Sequence, residues 1–252
     1  MNLTDKIVVV TGGGSGIGAE IAARFAGMGN TVIICGRDKA KLTSAASKMG
    51  AFPIQCDVTS PDECQAMLDV IIADHQRLDI LVNCAGVMFG YDFAEDPGTA
   101  EKIQTEIDIN AIAPLRLTHA ALPILNRSPE AAVVFVSSGL AYSPFAGTPA
   151  YSGTKALIHH SAKALRHQFK KRGIKVFELL PPITDTPMAH GANTGGFKKS
   201  SPAEVVNELI EGMERDRYEI AAGASKLLRI MSRVAPGFLF NQMTKAFEKE
   251  AR

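Results

Sequence analysis

The feature that most constrains the fold is a short β-branched run, followed at once by a glycine-rich turn and a helical pattern. Ile7–Thr11 has the composition of a strand that is covered on both faces. The turn reads Gly12-Gly13-Gly14-Ser15-Gly16-Ile17-Gly18, and helical periodicity follows over residues 19–28. In this order the three parts form a phosphate-binding unit, because glycines admit a pyrophosphate closely and a helix amino terminus offers free N–H groups. A plain glycine turn is the weaker interpretation, and we predict a dinucleotide site lined by Gly12, Ser15, Gly16, Ile17 and Gly18.

Apolar runs and helical patterns then alternate along the rest of the chain. Further strands are predicted at residues 31–35, 54–56, 79–83, 132–138 and 174–180, with helices at 39–48, 61–75, 100–126 and 151–171. Six strands separated by helices favour an α/β fold with a doubly wound parallel sheet, a Rossmann-like three-layer arrangement. With 252 residues, 46% apolar, and neither linkers nor repeats, residues 1–252 are predicted to form a single domain.

Charge and cysteine content exclude several classes of protein. A formal net charge of +1 carries no electrostatic signature of nucleic-acid binding. Apolar runs fall short of the length of a transmembrane helix, and the early first strand leaves no room for a signal peptide. The four cysteines form no C-x-x-C pair, so we expect buried reduced thiols, no metal site and a cytoplasmic protein.

The end of the second predicted strand bears on the choice of dinucleotide. NAD sites hold an acidic residue here that bonds the ribose hydroxyls. This chain has Gly36 instead, and the guanidinium of Arg37 can hold a 2′-phosphate bidentately. We therefore predict a preference for NADP(H). Asp38 is predicted to cap the next helix, but its carboxylate keeps NAD(H) as the alternative.

A tyrosine and a lysine four residues apart are the candidate chemical groups. Tyr151 and Lys155 start a predicted helix, so both side chains leave the same face. An ammonium beside a phenol is expected to lower the phenol's pKa and to yield a proton donor that works near neutral pH. Ser138 closes a predicted strand, where a hydroxyl faces the ligand crevice of a parallel sheet. Each residue alone also fits a solvated helix face or a turn, so their interpretation depends on the rest of the chain.

Five motifs occur in the order and at the spacings of the short-chain dehydrogenase/reductase family, which residues 5–187 resemble. They are Thr11-Gly12-x-x-x-Gly16-x-Gly18, Asn83-Cys84-Ala85-Gly86, Asn110, Ser138 and Tyr151-x-x-x-Lys155. The resemblance implies that Ser138 bonds the substrate oxygen, that Tyr151 exchanges the proton and that Lys155 bonds the nicotinamide ribose. It also implies that Asn110 holds a water linking Lys155 to solvent, and that the protein is a homodimer or homotetramer.

The same resemblance implies further cofactor contacts. Asp57 and Val58 would flank the adenine, and Asn83, Ala85 and Gly86 would line the cofactor. The family's Pro-Gly after the sixth strand reads Pro181-Pro182 here, and a proline cannot adopt the positive φ open to glycine. We expect a differently shaped turn at the nicotinamide, with Pro181, Thr184 and Thr186 still in contact with the cofactor.

A narrower resemblance is to the branch often labelled as the oxidoreductase of D-alanine transfer to teichoic acids. It rests on residues 32–37, 138–142 and 165–168, and on Pro181-Pro182 with Asp185-Thr186. Branch membership does not define a substrate. The expected pocket walls, at 88–91, 140–145 and a mobile lid at about 184–200, are mostly apolar. They predict a neutral, hydrophobic carbonyl or secondary alcohol as the small-molecule substrate.

The last stretch, at about 224–252, is a predicted amphipathic extension. Lys226, Arg229 and Arg233 share a helical stretch with apolar residues. We expect a helix that packs over the pocket or into a subunit interface, with contact to an anionic membrane surface as the alternative.

Overall we predict an NADP(H)-dependent carbonyl reductase. The alternatives are an NAD-dependent secondary alcohol dehydrogenase and a non-catalytic dinucleotide-binding or membrane-peripheral envelope protein, but a sensor would need no Ser-Tyr-Lys set.

Overall fold

The computed structural model describes residues 1–190 and 198–250, and within them seven parallel strands form one sheet in the order β3-β2-β1-β4-β5-β6-β7. The strands are β1 (Ile7–Thr11), β2 (Thr31–Gly36), β3 (Phe52–Gln55), β4 (Ile80–Asn83), β5 (Ala132–Val136), β6 (Lys175–Leu180) and β7 (Glu219–Ala221). The predicted doubly wound parallel α/β fold is therefore confirmed. The strand order reverses between β1 and β4, and in open parallel sheets the crevice beyond that point binds ligands.

Helices cover both faces of the sheet. They are α1 (Gly16–Gly27), α2 (Lys39–Met49), α3 (Pro61–His75), α4 (Thr99–Ile107), α5 (Ala113–Leu125), α6 (Pro149–Phe169), α7 (Pro202–Glu214), α8 (Ser225–Val234) and α9 (Pro236–Glu250). One apolar core joins the sheet to α1, α2 and α7, and the other joins it to α3, α5 and α6. Val8 and Val10 enter the first core and Val9 the second, which explains the unbroken β-branched run of a strand buried on both faces.

The predicted cap of α2 is present, and α3 begins with a side-chain cap as well. Asp38 accepts the Lys41 N–H at 3.0 Å at the start of α2. Ser60 accepts the Glu63 N–H at 3.3 Å, with Pro61 in the first helical position of α3. The Asp38 carboxylate is thus engaged by its own helix.

Some element boundaries differ from the predictions. The sheet has seven strands rather than six, because three-residue β7 is too short to show a sequence pattern and forms by pairing with β6. Helix α1 begins at Gly16, three residues earlier than predicted. The helical region predicted over 100–126 contains a π-turn at Asp108–Ile112 between α4 and α5. Of the cysteines, Cys35 alone lies within a strand; all four are free thiols, and three are buried.

Candidate active site

The glycine turn above β1 has a backbone that strongly favours glycine. Gly12 and Gly16 have φ values of +67° and +56°. A Cβ on Gly18 would lie 2.4 Å from the Gly12 carbonyl oxygen, so α1 starts in close contact with the turn. Because α1 begins at Gly16, the N–H groups of its first turn face outward from the helix end. The hydroxyl of Ser15, at the N-cap, makes no capping hydrogen bond to this helix.

These features fit the pyrophosphate of a dinucleotide. Free N–H groups and the positive end of the helix dipole attract an anion, and the glycines leave the approach to them open. On the far side of the turn, Thr186 lies close to Gly16, since a Cβ on this glycine would be 3.1 Å from the threonine Cγ2. The turn and the segment after β6 therefore border one crevice, as expected for residues that hold opposite parts of one ligand.

At the carboxyl end of β2, a basic side chain lies in the open. Arg37 is exposed, and its carbonyl oxygen accepts a hydrogen bond from Gln55 Nε2 at 3.0 Å. A Cβ on Gly36 would have its closest contact, 3.7 Å, with Leu42, so packing does not require glycine there. Burial acts to raise the pKa of Asp57, but hydrogen bonds from Thr59 and the charge of Arg37 outweigh it and lower that pKa. Arg37 and Asp57 are thus close enough to flank one adenosine.

The segment after β4 is held by a threonine to which the sequence reasoning assigned no role. Thr11 Oγ1 accepts the N–H groups of Cys84 at 2.9 Å and Ala85 at 3.0 Å. Asn83 donates from Nδ2 to Thr118 Oγ1 at 3.0 Å. Burial raises the pKa of Cys84 to about 11, and its sulfur contacts the position of Gly18, which is a packing environment.

Asn110 lies in the π-turn and is fully engaged with the next stretch of chain. Its Oδ1 accepts the Val87 N–H at 2.8 Å, and its Nδ2 donates to the Val87 carbonyl oxygen at 2.8 Å. A Cβ on Gly86 would lie 3.1 Å from Asn110 Oδ1 and 3.7 Å from Lys155 Nζ. Asn110 is thus a buried polar residue with its hydrogen bonds satisfied and also part of a π-turn, which interrupts regular helix geometry and often marks a functional site.

Ser138, Tyr151 and Lys155 come together at the carboxyl end of β5. The hydroxyl of Tyr151 is hydrogen-bonded to Ser138, and Ser138 Oγ accepts the Leu140 N–H at 3.1 Å. Lys155 Nζ lies 5.4 Å from the centroid of the Tyr151 ring and donates to the Val136 carbonyl oxygen at 3.0 Å. Both helix residues are buried, so the phenol and the amine share one low-dielectric environment.

The expected lowering of the tyrosine pKa by the lysine is not found. Burial raises the pKa of Tyr151 to about 12, although the hydrogen bond from Ser138 acts in the opposite direction. Burial also lowers the pKa of Lys155 to about 8. Desolvation disfavours the charged form of each group, and it is the largest cause of both shifts.

In the loop after β6, the hydroxyls of two threonines bond to backbone carbonyl oxygens of the same loop. Thr184 Oγ1 donates to the Pro182 carbonyl oxygen at 2.8 Å, and Thr186 Oγ1 donates to that of Thr184 at 3.3 Å. The carbonyl oxygen of Pro181 accepts the Gly139 N–H at 2.8 Å, which ties this loop to the residue after Ser138. The predicted lid residues Gly191, Gly195, Gly196 and Phe197 lie outside the described residues.

A buried carboxylate that the sequence reasoning missed joins the elements that carry these groups. Glu178, in β6, accepts from Ser137 Oγ at 2.5 Å through one oxygen, and its other oxygen lies 2.8 Å from His159 Nδ1. Ser137 precedes Ser138, and His159 lies one helical turn after Lys155. Its sequence signal was a lone carboxylate inside the apolar run 176–180.

A second missed carboxylate supports the predicted pocket wall. Glu106, in α4, is fully buried, and its Oε1 accepts the Phe89 N–H at 2.8 Å. Burial raises its pKa above the ordinary value for a glutamate. Glu106 and Asn110 are four residues apart, so one face of α4 and the π-turn anchors the chain from Val87 to Phe89.

Comparisons with known proteins agree with this geometry. The family model described as short chain dehydrogenase matches residues 6–195. The chain is 35% identical over 249 residues to the Bacillus subtilis (strain 168) protein named "Uncharacterized oxidoreductase DltE", covering 96% of this chain and 98% of that protein. This relative confirms the family resemblance and the narrower one.

Two solved structures share the fold. A short chain dehydrogenase from Burkholderia cenocepacia J2315 in complex with NADP has a TM-score of 0.84 at 21% identity, over 96% of this chain and 99% of that one. A short chain dehydrogenase/reductase from Burkholderia phymatum in complex with NAD has a TM-score of 0.83 at 18% identity, over 96% of both chains.

Proposed function

The chain belongs to the short-chain dehydrogenase family of oxidoreductases, and on that premise we propose that it reduces a neutral, mostly hydrophobic carbonyl compound to a secondary alcohol with NADPH. The hydrogen bond between Tyr151 and Ser138 in the crevice is the observation that carries this proposal. It brings two hydroxyls together where one carbonyl oxygen can contact both.

The residues of the crevice divide the work of the reaction. When bound, the reduced nicotinamide supplies the hydride. Tyr151, with a pKa of about 12, is protonated at neutral pH and donates its proton to the substrate oxygen. Ser138 donates a hydrogen bond to the same oxygen and stabilises the negative charge that develops there.

Lys155 and Asn110 support this step. With a pKa of about 8, Lys155 is largely protonated at neutral pH, so its ammonium would bond the nicotinamide ribose of a bound cofactor and balance charge near the phenol. Both amide atoms of Asn110 are engaged by Val87. We propose that Asn110 acts through the backbone of its π-turn, which holds the water that connects Lys155 to solvent.

Activity of a substitution series tests the chemistry. Purified protein is assayed by NADPH absorbance against a panel of aliphatic and aromatic ketones and aldehydes. Tyr151→Phe and Ser138→Ala should each lower turnover by roughly 10²–10⁴-fold, the usual contribution of a general acid or an oxyanion-stabilising donor. Binding of NADPH, followed by its fluorescence, should persist in both variants. Turnover near wild type in Tyr151→Phe would show that the site is assigned wrongly.

Preference for NADP(H) is supported by the open end of β2. Arg37 is exposed at a position where a guanidinium can bond a 2′-phosphate, and Gly36 places no carboxylate against that phosphate. Asp38, on which the NAD alternative depends, already caps α2. Val58, Ala85 and the remaining predicted contacts are proposed to line the rest of the dinucleotide.

A substitution at Gly36 tests the preference directly. Gly36→Asp fits without a clash, since its Cβ would be 3.7 Å from the nearest side chain. It should reverse the ratio of kcat/KM for NADPH over NADH, and Arg37→Gln should reduce the NADPH value alone. Lys39→Gln, two residues further along an exposed surface, is the matched control. A wild-type preference for NADH would contradict the assignment to Arg37.

The setting of the enzyme follows from two further observations. Free thiols at all four cysteines support a cytoplasmic location. Ile107 on α4 and Leu157 on α6 are exposed apolar residues on helices that pack together. We propose that this surface forms the homo-oligomer implied by the family. Leu157→Glu should lower the mass measured by light scattering, and an unchanged mass would contradict the assignment of this surface.

A further inference from the structure

The carboxyl-terminal helices α8 and α9 present an unpartnered apolar surface. Leu227, Ile230 and Val234 recur at helical spacing along α8 and are 59%, 58% and 77% exposed. Phe238 and Phe240 of α9 are exposed as well. Leu227, Ile230 and Val234 share one face of α8, and an exposed row of large apolar side chains marks a site of interaction.

This surface cannot turn inward, because the other side of α8 is already fixed to the protein. A Cβ on Gly139 would lie 2.5 Å from Ser225 Oγ and 3.0 Å from Leu228, so α8 packs directly on the residue after Ser138. Ion pairs tie the same helix to the body, from Lys226 to Glu208 at 2.6 Å and from Arg229 to Glu219 at 3.0 Å. The helix therefore has an inner apolar face in contact and an outer one exposed.

Basic residues adjoin the outer face. A cleft of about 530 Å³ lies between β7 and α8, and Arg217 and Arg233 line it together with Ile230 and Val234. The carboxylate of Glu219 lines it too, but it is paired with Arg229 at 3.0 Å, and although burial acts to raise its pKa, the charges of Arg229 and Arg233 are among the causes that lower it. Within the described ranges, neither Arg217 nor Arg233 forms an ion pair with a carboxylate. Residues 223–245 contain four basic residues and no Asp or Glu. The cleft combines guanidinium groups, which suit a phosphate, with an apolar edge.

From this arrangement we propose that the α8–α9 surface binds the surface of an anionic phospholipid bilayer. Arg217 and Arg233 contact lipid phosphates, and the exposed side chains of α8 and α9 enter the boundary between headgroups and acyl chains. A second copy of the chain is the less suitable occupant, because a two-fold contact would bring the same cationic segment of each copy face to face. None of the described helices is long and apolar enough to cross a bilayer, so the contact is at its surface.

Cosedimentation of the full-length protein with vesicles tests this proposal. Vesicles of phosphatidylcholine with phosphatidylglycerol are compared with vesicles of phosphatidylcholine alone. Binding should require the anionic lipid and weaken as salt is added. Equal binding to both vesicles, or no binding to either, would overturn the proposal.

Matched substitutions locate the contact. Val234→Glu should reduce vesicle binding at least tenfold, whereas Val70→Glu, which alters a valine 48% exposed on α3, should not. Arg233→Gln should reduce binding about fivefold, the effect of one basic residue at a charged membrane, and Arg172→Gln should leave it unchanged. Circular dichroism and NADPH binding show that each variant is folded.

Light scattering on the same samples shows whether the α8–α9 surface contacts a membrane or a second copy of the chain. If Val234→Glu lowers the molecular mass in solution, the surface is an interface between copies and the proposal fails. If the mass is unchanged while vesicle binding is lost, the bilayer is the occupant. Neither result depends on the identity of the substrate, so failure here leaves the proposed reductase activity untouched.

Discussion

Removal of the Glu178 carboxylate should destabilise the protein far more than removal of an exposed one. Glu178 is buried, and its two oxygens bond Ser137 and His159. Replacement by alanine removes the acceptor of His159 and leaves Ser137 with only the Leu179 carbonyl oxygen at 3.3 Å. Loss of one member of a buried pair costs about 3–5 kcal/mol. Glu130, which is partly exposed and paired with Lys6, provides the matched carboxylate.

An isosteric variant separates charge from shape. Glu178→Gln can keep both hydrogen bonds but makes them neutral. Hydrogen bonds to charged groups contribute about 1 kcal/mol more than neutral ones, so two such bonds predict a loss of about 2 kcal/mol. At about 2–4 °C per kcal/mol for a chain of this size, thermal midpoints should fall by roughly 10 °C for the alanine variant and roughly 5 °C for the glutamine variant. Glu130→Gln should change the midpoint by no more than a few degrees.

The pH dependence of this difference follows from His159. The hydrogen bond with Glu178 raises its pKa, against the opposing effects of burial and of Lys163, while the charge of Glu219 adds to the increase. A histidine pKa raised by folding contributes stability in full below its unfolded value near ~6.5, and this is lost as pH rises through the folded pKa. The gap between wild type and Glu178→Gln, measured by scanning fluorimetry, should therefore narrow with increasing pH.

Two outcomes would refute this reasoning. If the thermal midpoint of Glu178→Ala lies within about a degree or two of that of wild type, the hydrogen bonds of this carboxylate to Ser137 and His159 do not stabilise the fold. The second is a difference in thermal midpoint between wild type and Glu178→Gln that is the same at pH 5.5 and pH 9, values chosen roughly either side of the histidine range. In that case the contact with Glu178 does not raise the pKa of His159.

Three further predictions concern the crevice and the thiols. Gly18→Ala should lower the free energy of unfolding by about 1–3 kcal/mol and weaken dinucleotide binding, because its Cβ would lie 2.4 Å from the Gly12 carbonyl oxygen. The control is Gly27→Ala, which has open space around it and should have a thermal midpoint at or above that of wild type. Burial lowers the pKa of Lys155 to about 8, so above that pH the unfolded chain binds more protons than the folded one. The free energy of unfolding of wild type should therefore rise by about 3 kcal/mol relative to Lys155→Met between pH 8 and pH 10.5. If urea titrations give the same difference in free energy at both pH values, the pKa of Lys155 is not lowered. Cys56 and Cys64, whose thiol pKa values are raised, should react with a disulfide reagent much faster in urea than in buffer, and rapid reaction of the native protein would contradict their burial.

Local spacing was enough to predict most of the fold and to propose which residues form the site. The β-branched run at β1, the glycines of the turn and the four-residue interval from Tyr151 to Lys155 all act over a few residues, where backbone geometry and side-chain direction depend on the sequence alone. The order of these units then restricts the sheet to few topologies. Even the caps at Asp38 and Ser60 could be predicted, since each bonds the helix that it begins.

The electrostatic state of the site depended on the tertiary structure instead. Desolvation is a sum over every neighbour in space, so the spacing of Tyr151 and Lys155 could not predict that burial raises the pKa of the phenol. The partners of Glu178 are Ser137, directly after β5, and His159 in α6, and both are distant from it in sequence. The sequence does not distinguish the side of α8 that carries Leu228 from the side that carries Val234. In the structure Leu228 packs on Gly139, and Val234 is therefore exposed to solvent. Periodicity determines which residues share a face, whereas only packing decides which face meets protein and which meets solvent.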